Sequence, residues 1–370
     1  MIFICLCLTL GVFTLIKPKR EFSHRENRKL AQAPKLSETS FFDGSFQDGF
    51  SSFFSDQFGG RDMWGQVNLS FKKAIGQHEN GGVYLGKEGH LYLIPENPDK
   101  KSIDENLKAV NSFSEQFPKV NSYMCIVPNA VTVQSQFLPP DAPTVDQNKL
   151  LGYIKTGLDG TSFIDVSAPL KQKNNEYIFF LTDHHWTSLG AKTAFEEIAV
   201  KMKLKNVVSD YKILTVSENF TGTLSSKSSS FEVKDTVDVY LPETDIIYNV
   251  DYCNGEQKTR SVFKSEALKG NDKYTVFFGG NHPRIDIKTT AKTGRKLLVF
   301  KDSYFNSLAQ FMWPYFDTIT IIDPRYYYEY AGFIIRQQGI TDVLYLYNAD
   351  TFGTDKSLYA VLEAPKETEK

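Results

Sequence analysis

At 370 residues the chain is long enough for one large domain or two smaller ones, and 41% hydrophobic with 23% charged residues is the balance of a folded globular protein. A net charge of −2, with no basic run interleaved with aromatics in the globular part, excludes a nucleic-acid footprint. Cys5 and Cys7 lie in an N-terminal apolar segment; the remaining Cys125 and Cys253 are too few for a disulfide framework or a zinc site and read as unpaired thiols, with a single Cys125–Cys253 bridge as the alternative.

Residues 1–16 (MIFICLCLTLGVFTLI) are almost wholly apolar and run straight into Lys17, Pro18, Lys19 and Arg20. The run is short for a spanning helix and long for a signal core, and no small-residue cleavage site follows, so an uncleaved signal anchor or transmembrane helix is expected. No Lys or Arg precedes it, and the positive-inside rule taken alone keeps the rest of the chain in the cytoplasm; a longer, basic N-terminus would reverse that. Residues 17–40 are polar, contain Pro34 and read as a linker. Between 41 and 75, Phe46, Phe50, Phe53, Phe54 and Phe58 recur at helical spacing up to Gly59-Gly60. Two short strands are expected at 83–85 and 91–94, an amphipathic helix at 106–117 and a buried strand at 122–127.

Residues 177–181 read as a further buried strand that delivers the chain to Asp183-His184-His185-Trp186, followed by a helix over 188–202 capped by Thr187 or Ser188. Residues 205–290, rich in Ser, Thr and Asn with β-like runs at 238–241, 246–249 and 274–278, read as a β-rich insertion. The C-terminal part alternates: strand 297–300, helix from Asp302-Ser303 to 312, strand 318–322, helix 328–338 stopped by Gly339, strand 343–346. A βαβαβ order implies an α/β fold with a mostly parallel sheet and helices on its faces. Residues 366–370 form a charged tail. Ligands of such sheets collect beyond the carboxyl ends of the strands, and Ser303, Arg325 and Asn348 each follow a strand end.

Ser303 at a strand-to-helix turn can project its hydroxyl over the sheet, with its own N–H aimed at a developing oxyanion; the same position also suits a helix cap. A serine needs an adjacent base. His185 is the candidate base and Asp183, two residues earlier, the group that fixes its tautomer and stabilises the imidazolium. His184 points the other way and reads as structural. Trp186 can wall the site, stack on a sugar ring or simply pack. Asp183-His184-His185 also opens a metal-dependent phosphoesterase reading, but His24, His78, His90 and His282 sit outside any carboxylate cluster, so neither metal nor cofactor is expected.

TDHHWTSLGA (182–191), KDSYFNSL (301–308) and DVLYLYNADTF (342–352), with ENRKLAQAP, DQFGGRD and GVYLGKEGHLY earlier, resemble the DHHW family of Gram-positive bacteria, related to the alginate O-acetylation proteins of the SGNH-like hydrolase superfamily. The matches span about residues 25–355. The resemblance implies a three-layer α/β/α catalytic domain over 41–365, with 205–290 inserted, held outside the cell membrane by a single N-terminal span. It implies Ser303 as nucleophile, His185 as base and Asp183 as its partner. Asn348 corresponds to the superfamily's side-chain oxyanion donor and Arg325, in DPRYY, to a substrate-contacting arginine. Asn281 in FFGGNHP is a second candidate donor, and Tyr304 and Trp186 complete the oxyanion or substrate-binding group. KDSY replaces the commoner GDS-type motif, and Asn348 lacks the usual following Asp. The implied reaction is O-acetylation of a cell-surface polysaccharide, with a membrane-bound O-acyltransferase as acetyl donor. The same residues equally serve an esterase that releases acetyl to water, and a non-catalytic glycan-binding cleft remains the third reading.

Overall fold

The computed structural model describes residues 1–364, His24 and Asn27 excepted, so the charged tail at 366–370 lies outside the described residues. Its centre is an eight-stranded sheet made, in chain order, of β1 (Asn121–Val127), β2 (Ser162–Ile164), β3 (Tyr248–Tyr252), β4 (Gln257–Thr259), β5 (Arg284–Thr289), β6 (Lys296–Lys301), β7 (Thr318–Ile322) and β8 (Asp342–Asn348). Across the sheet the order is β4-β3-β5-β7-β6-β8-β1-β2. The five strands from β7 to β2 are parallel, while β5, β3 and β4 extend the edge in antiparallel pairing.

The parallel strands are apolar on both faces because both are covered. With side chains alternating, Leu297, Val299, Leu344 and Leu346 pack on one side, against α3 (Ser188–Lys201) and α4 (Tyr304–Met312). Leu298, Phe300, Val343, Tyr345 and Tyr347 pack on the other, with residues of α1 (Lys100–Gln116), α2 (Gln147–Gly157) and α5 (Gly332–Gln338). Gly339 ends α5 in the left-handed region, φ +65°. This is the expected three-layer arrangement.

Several expectations change. Residues 205–290 are not a separate decoration: β3, β4 and β5 all come from this stretch and build the antiparallel edge, β5 pairing with β7 over five registered residues. Only the ribbon of Tyr211–Phe220 with Asp235–Pro242 stands apart as its own two-stranded sheet, and the run expected as a strand near 274–278 begins as a 3-10 turn, Lys273–Val276.

Residues 177–181 join no ladder. They fold back on the segment that follows, with Phe180 N–H donating to His185 O at 3.1 Å and Thr187 N–H to Ile178 O at 3.0 Å, which leaves Asp183-His184 at the tip. The apolar character fits a strand, but the buried Asp235 carboxylate takes the N–H groups of Leu181 and Thr182, each at 2.8 Å, along with the hydroxyls of Thr182 and Tyr177, each at 2.5 Å.

The N-terminal segment also differs. Helix Ile2–Ile16 has fifteen residues, about 22 Å of helix at 1.5 Å per residue, against a hydrocarbon core of about 30 Å. No helix among the described residues is long and apolar enough to cross a membrane. Its end is seated on the protein: buried Thr14 accepts from Gly59 N–H at 3.0 Å. The segment expected as a linker is likewise tied down. Phe22–Ser23 pairs with Arg28–Lys29, and Arg28 forks onto Asp56 at 2.8 and 2.5 Å while Ala31 N–H donates to the same carboxylate. The Phe-rich stretch divides into Glu38–Phe42, Ser45–Asp56 and Arg61–Ala74, with Gly44 and Gly60 in the left-handed region at the breaks. Cys125 and Cys253 are free thiols.

Replacing Asp235 with Ala leaves two buried N–H groups without an acceptor and should lower stability by about 2–4 kcal/mol. Urea unfolding measures this, and a loss below about 1 kcal/mol would mean that other groups hold the 177–182 segment.

Candidate active site

The carboxyl ends of β7, β6, β8 and β1, adjacent in the sheet, deliver Asp323 and Arg325, Asp302 and Ser303, Asn348, and Asn129 to one edge. Ser303 is the residue before α4, yet its side chain does not cap the helix. Its Oγ lies 2.7 Å from His185 Nε2. The other imidazole nitrogen, Nδ1, lies 2.5 Å from Asp183 Oδ1. Asp183 and His185 are buried and Ser303 is partly exposed. The three residues singled out in the sequence are thus joined in one relay, hydroxyl to imidazole to carboxylate.

Asp183 is fixed from the far side as well. Its Oδ2 accepts from Thr223 N–H at 2.8 Å and Thr223 Oγ1 at 2.9 Å. A Cβ on Gly222 would overlap the Asp183 side chain, so only glycine lets this backbone pass so close. Burial raises the Asp183 carboxyl, but the imidazoles of His184 and His185 and the hydrogen bonds from His185 and Thr223 outweigh it and hold the group well below the usual carboxylate range. The carboxylate therefore stays ionised beside the imidazole. His184 turns away from Ser303, with Nδ1 2.9 Å from Thr223 Oγ1; burial first, then the charge of His185, bring it down to about 4.

Tyr274, not singled out in the sequence, stacks on the His185 ring with centroids 3.8 Å apart and planes 10° from parallel. Its hydroxyl donates to Ser303 O at 2.8 Å and reaches Ser307 Oγ at 3.1 Å. One side chain therefore fixes both the plane of the imidazole and the backbone of the serine. Nothing in its local sequence announces this, because the contacts join the 3-10 turn Lys273–Val276 to His185 and to the entrance of α4.

Three expected site residues have other tasks. Asn348 is no oxyanion donor: its amide group spends one N–H on Asp302 Oδ2 (2.6 Å) and the other on Thr351 Oγ1 (2.7 Å). Trp186 is fully buried, with its indole N–H donating to Tyr304 O at 3.0 Å, and offers no face to a sugar. Tyr304 is fully buried too, and its hydroxyl donates to His184 O at 2.6 Å. These two bind the Asp183–Trp186 turn to the start of α4 rather than touch a substrate.

The other two remain available. Asn281 is exposed, and its Oδ1 accepts from Lys301 Nζ at 2.7 Å and Asn306 Nδ2 at 3.2 Å, which turns its own NH2 outward. Arg325 grips Asp323 with Nε and one terminal nitrogen, at 2.8 and 2.7 Å, and keeps a partly exposed edge. Buried Lys301 joins this group 3.2 Å from Asp323. Burial lowers the Lys301 ammonium, opposed by the Asp323 carboxylate. Asp183, His184 and His185 also bring ligand atoms within 4.8 Å of one another, but both His185 nitrogens are taken by Asp183 and Ser303. That leaves the metal reading without the further ligands it needs among the described residues.

A sequence profile described as the SGNH hydrolase-like domain of acetyltransferase AlgX matches residues 83–267, which is 185 of 370 residues. A DHHW family protein from Eubacterium siraeum is similar in structure at 27% identity and TM-score 0.66, over 76% of this chain and 95% of that one. PatB1 of Bacillus cereus, in a structure with a sulfonyl adduct, is similar at 19% identity and TM-score 0.62, over 75% of this chain and 97% of its own. A second PatB1 structure gives 21% identity and TM-score 0.61, over 74% and 97%. The likeness to PatB1 is one of fold. No curated protein sequence matches the chain.

An unfolded histidine takes up a proton near pH 6.5, whereas folded His184 does so only near pH 4. The folded state should therefore lose stability as pH falls through that window. The thermal midpoint of the wild type should drop more steeply from pH 6.5 to 4 than that of His184→Gln; parallel curves would show that His184 titrates normally.

Proposed function

The chain belongs to the SGNH hydrolase-like family of acetyltransferase AlgX, and from that premise we propose that it transfers acetyl groups to hydroxyls of a polysaccharide through an acyl-enzyme on Ser303. The observation that carries this reading is the 2.7 Å contact between Ser303 Oγ and His185 Nε2, backed by the 2.5 Å contact from Nδ1 to Asp183.

Ser303 Oγ attacks the acetyl carbonyl carbon while His185 Nε2 takes the hydroxyl proton, and the Asp183 carboxylate stabilises the imidazolium. The carbonyl oxygen becomes an oxyanion. Ser303 N–H, without an acceptor among the described residues, and the outward NH2 of Asn281 are the donors assigned to it. Collapse expels the donor's leaving group with the proton from His185. In the second half an acceptor hydroxyl gives its proton to His185, its oxygen attacks the acyl carbon, and Ser303 leaves as the alkoxide, reprotonated by the imidazolium. Arg325, anchored by Asp323, is assigned to substrate contact.

The donor in this reading is a membrane-bound O-acyltransferase that presents acetyl groups outside the cell membrane, with the catalytic domain extracytoplasmic. The exposed apolar residues of helix Ile2–Ile16, such as Leu8 and Ile16, support contact with a membrane.

Incubation with an activated acetyl ester, or with a sulfonyl fluoride in view of the adduct on PatB1, should add one group to Ser303 by mass spectrometry. Ser303→Ala should take none, and Asp183→Asn should slow acylation by about 10²–10⁴-fold. A folded wild type that gains no adduct would sink the mechanism. Acetyl that leaves Ser303 only for water, with donor and polysaccharide both present, would make the protein an esterase instead.

A further inference from the structure

Behind the Thr223 wall of the relay lies a cavity of about 400 Å³, lined by Arg25, Arg28, Thr223, Lys227 and Asp272 among others. Its size is that of a small-ligand site. The charges around it do not cancel. Glu26 is held by Arg28 at 2.8 Å and Arg61 at 2.6 Å, and Arg28 is also spent on Asp56. Arg25 and Lys227 form no ion pair among the described residues, although the Asp62 carboxylate lies within the electrostatic reach of Arg25. The Arg25 guanidinium lies over the Phe231 ring, 4.0 Å from its centroid, which holds the fork in place without neutralising it. Asp272 also lines the cavity, with burial and then the Asp183 carboxylate pushing its carboxyl up, so two lining carboxylates, Glu26 and Asp272, face three lining cations, Arg25, Arg28 and Lys227.

The cavity is separated from the relay by the Gly222-Thr223 segment. Thr223 lines it and binds Asp183 Oδ2. The His184 ring also contacts Thr223 and lies within the electrostatic reach of both Lys227 and Arg325. Arg25 and Lys227 line the cavity, which shares Thr223 with the relay. A polymer that offers one hydroxyl to Ser303 must place its neighbouring units somewhere, and this is the adjoining hollow. The planar guanidinium matches carboxylate and phosphate oxygens.

Resting on the acyl-transfer reading, we propose that this cavity is the flanking subsite for the acceptor, and that it takes the anionic group of a charged glycan unit, carboxylate or phosphate, between Arg25 and Lys227.

Calorimetric titration of the full chain with an oligogalacturonate, a poly(glycerol phosphate) and a neutral cello-oligosaccharide tests this. At least one anionic probe should bind about tenfold more tightly than the neutral one, and Arg25→Gln with Lys227→Gln should weaken it about tenfold. Added salt should weaken it as well. Which anionic probe binds distinguishes a uronate from a phosphodiester polymer. Equal affinity for the neutral probe, or anionic binding untouched by both substitutions, overturns the subsite. The titration needs no turnover and is repeated on Ser303→Ala. Anionic binding without any adduct on Ser303 keeps the subsite and removes the acyl-transfer reading; an adduct without anionic preference does the reverse.

Discussion

The structure of this edge depends on one buried carboxylate. Asp302 accepts from Tyr304 N–H at 2.9 Å, and from the N–H and side-chain amide of Asn348 at 2.8 and 2.6 Å. It thereby bolts the turn after β6 to the end of β8. Burial raises the Asp302 carboxyl, opposed first by the N–H groups of Asn348 and Tyr304. Held in this way, the turn keeps Ser303 at the helix entrance with its hydroxyl free to face His185 instead of capping α4.

Around that bolt the relay is assembled from segments far apart in the chain. The Asp183–Trp186 turn is tied to α4 twice, by Trp186 to Tyr304 O and by Tyr304 to His184 O. The 222–223 backbone presses on Asp183 from behind, and the ring of Tyr274 covers the imidazole. Such outer contacts lock a side chain in its productive rotamer, and a reacting constellation requires that precision. Because most of these partners are buried, the positioning is done by packing before any substrate arrives.

How much of this was legible follows from range. β6, β7 and β8 read correctly because a buried parallel strand is a continuous apolar run, and Asp302, Asp323 and Gly339 punctuate the runs locally. The relay was legible because each member is a chemically reactive type at a strand end or sharp turn. The roles of Asn348 and Trp186 were not, since both depend on which neighbour claims their N–H groups, and those neighbours, Asp302 and Tyr304, are remote in sequence. Residues 177–181 misled for the same reason: their apolar pattern is strand-like, but Asp235, more than fifty residues away, takes the hydrogen bonds a ladder would. The antiparallel edge was missed because β3, β4 and β5 are mixed in polarity, and only pairing defines them: β5 with β7, β3 with β5 and β4 with β3.

Gly222 gives this arrangement a readable mark. Since a methyl group there would collide with the Asp183 side chain, the identity of one backbone position reports on the health of a relay whose members are elsewhere. A related chain could retain Asp, His and Ser and still carry a larger residue at the position of Gly222. Its relay would have been displaced while its motifs looked intact, and that single site would separate working members of the fold from silent ones.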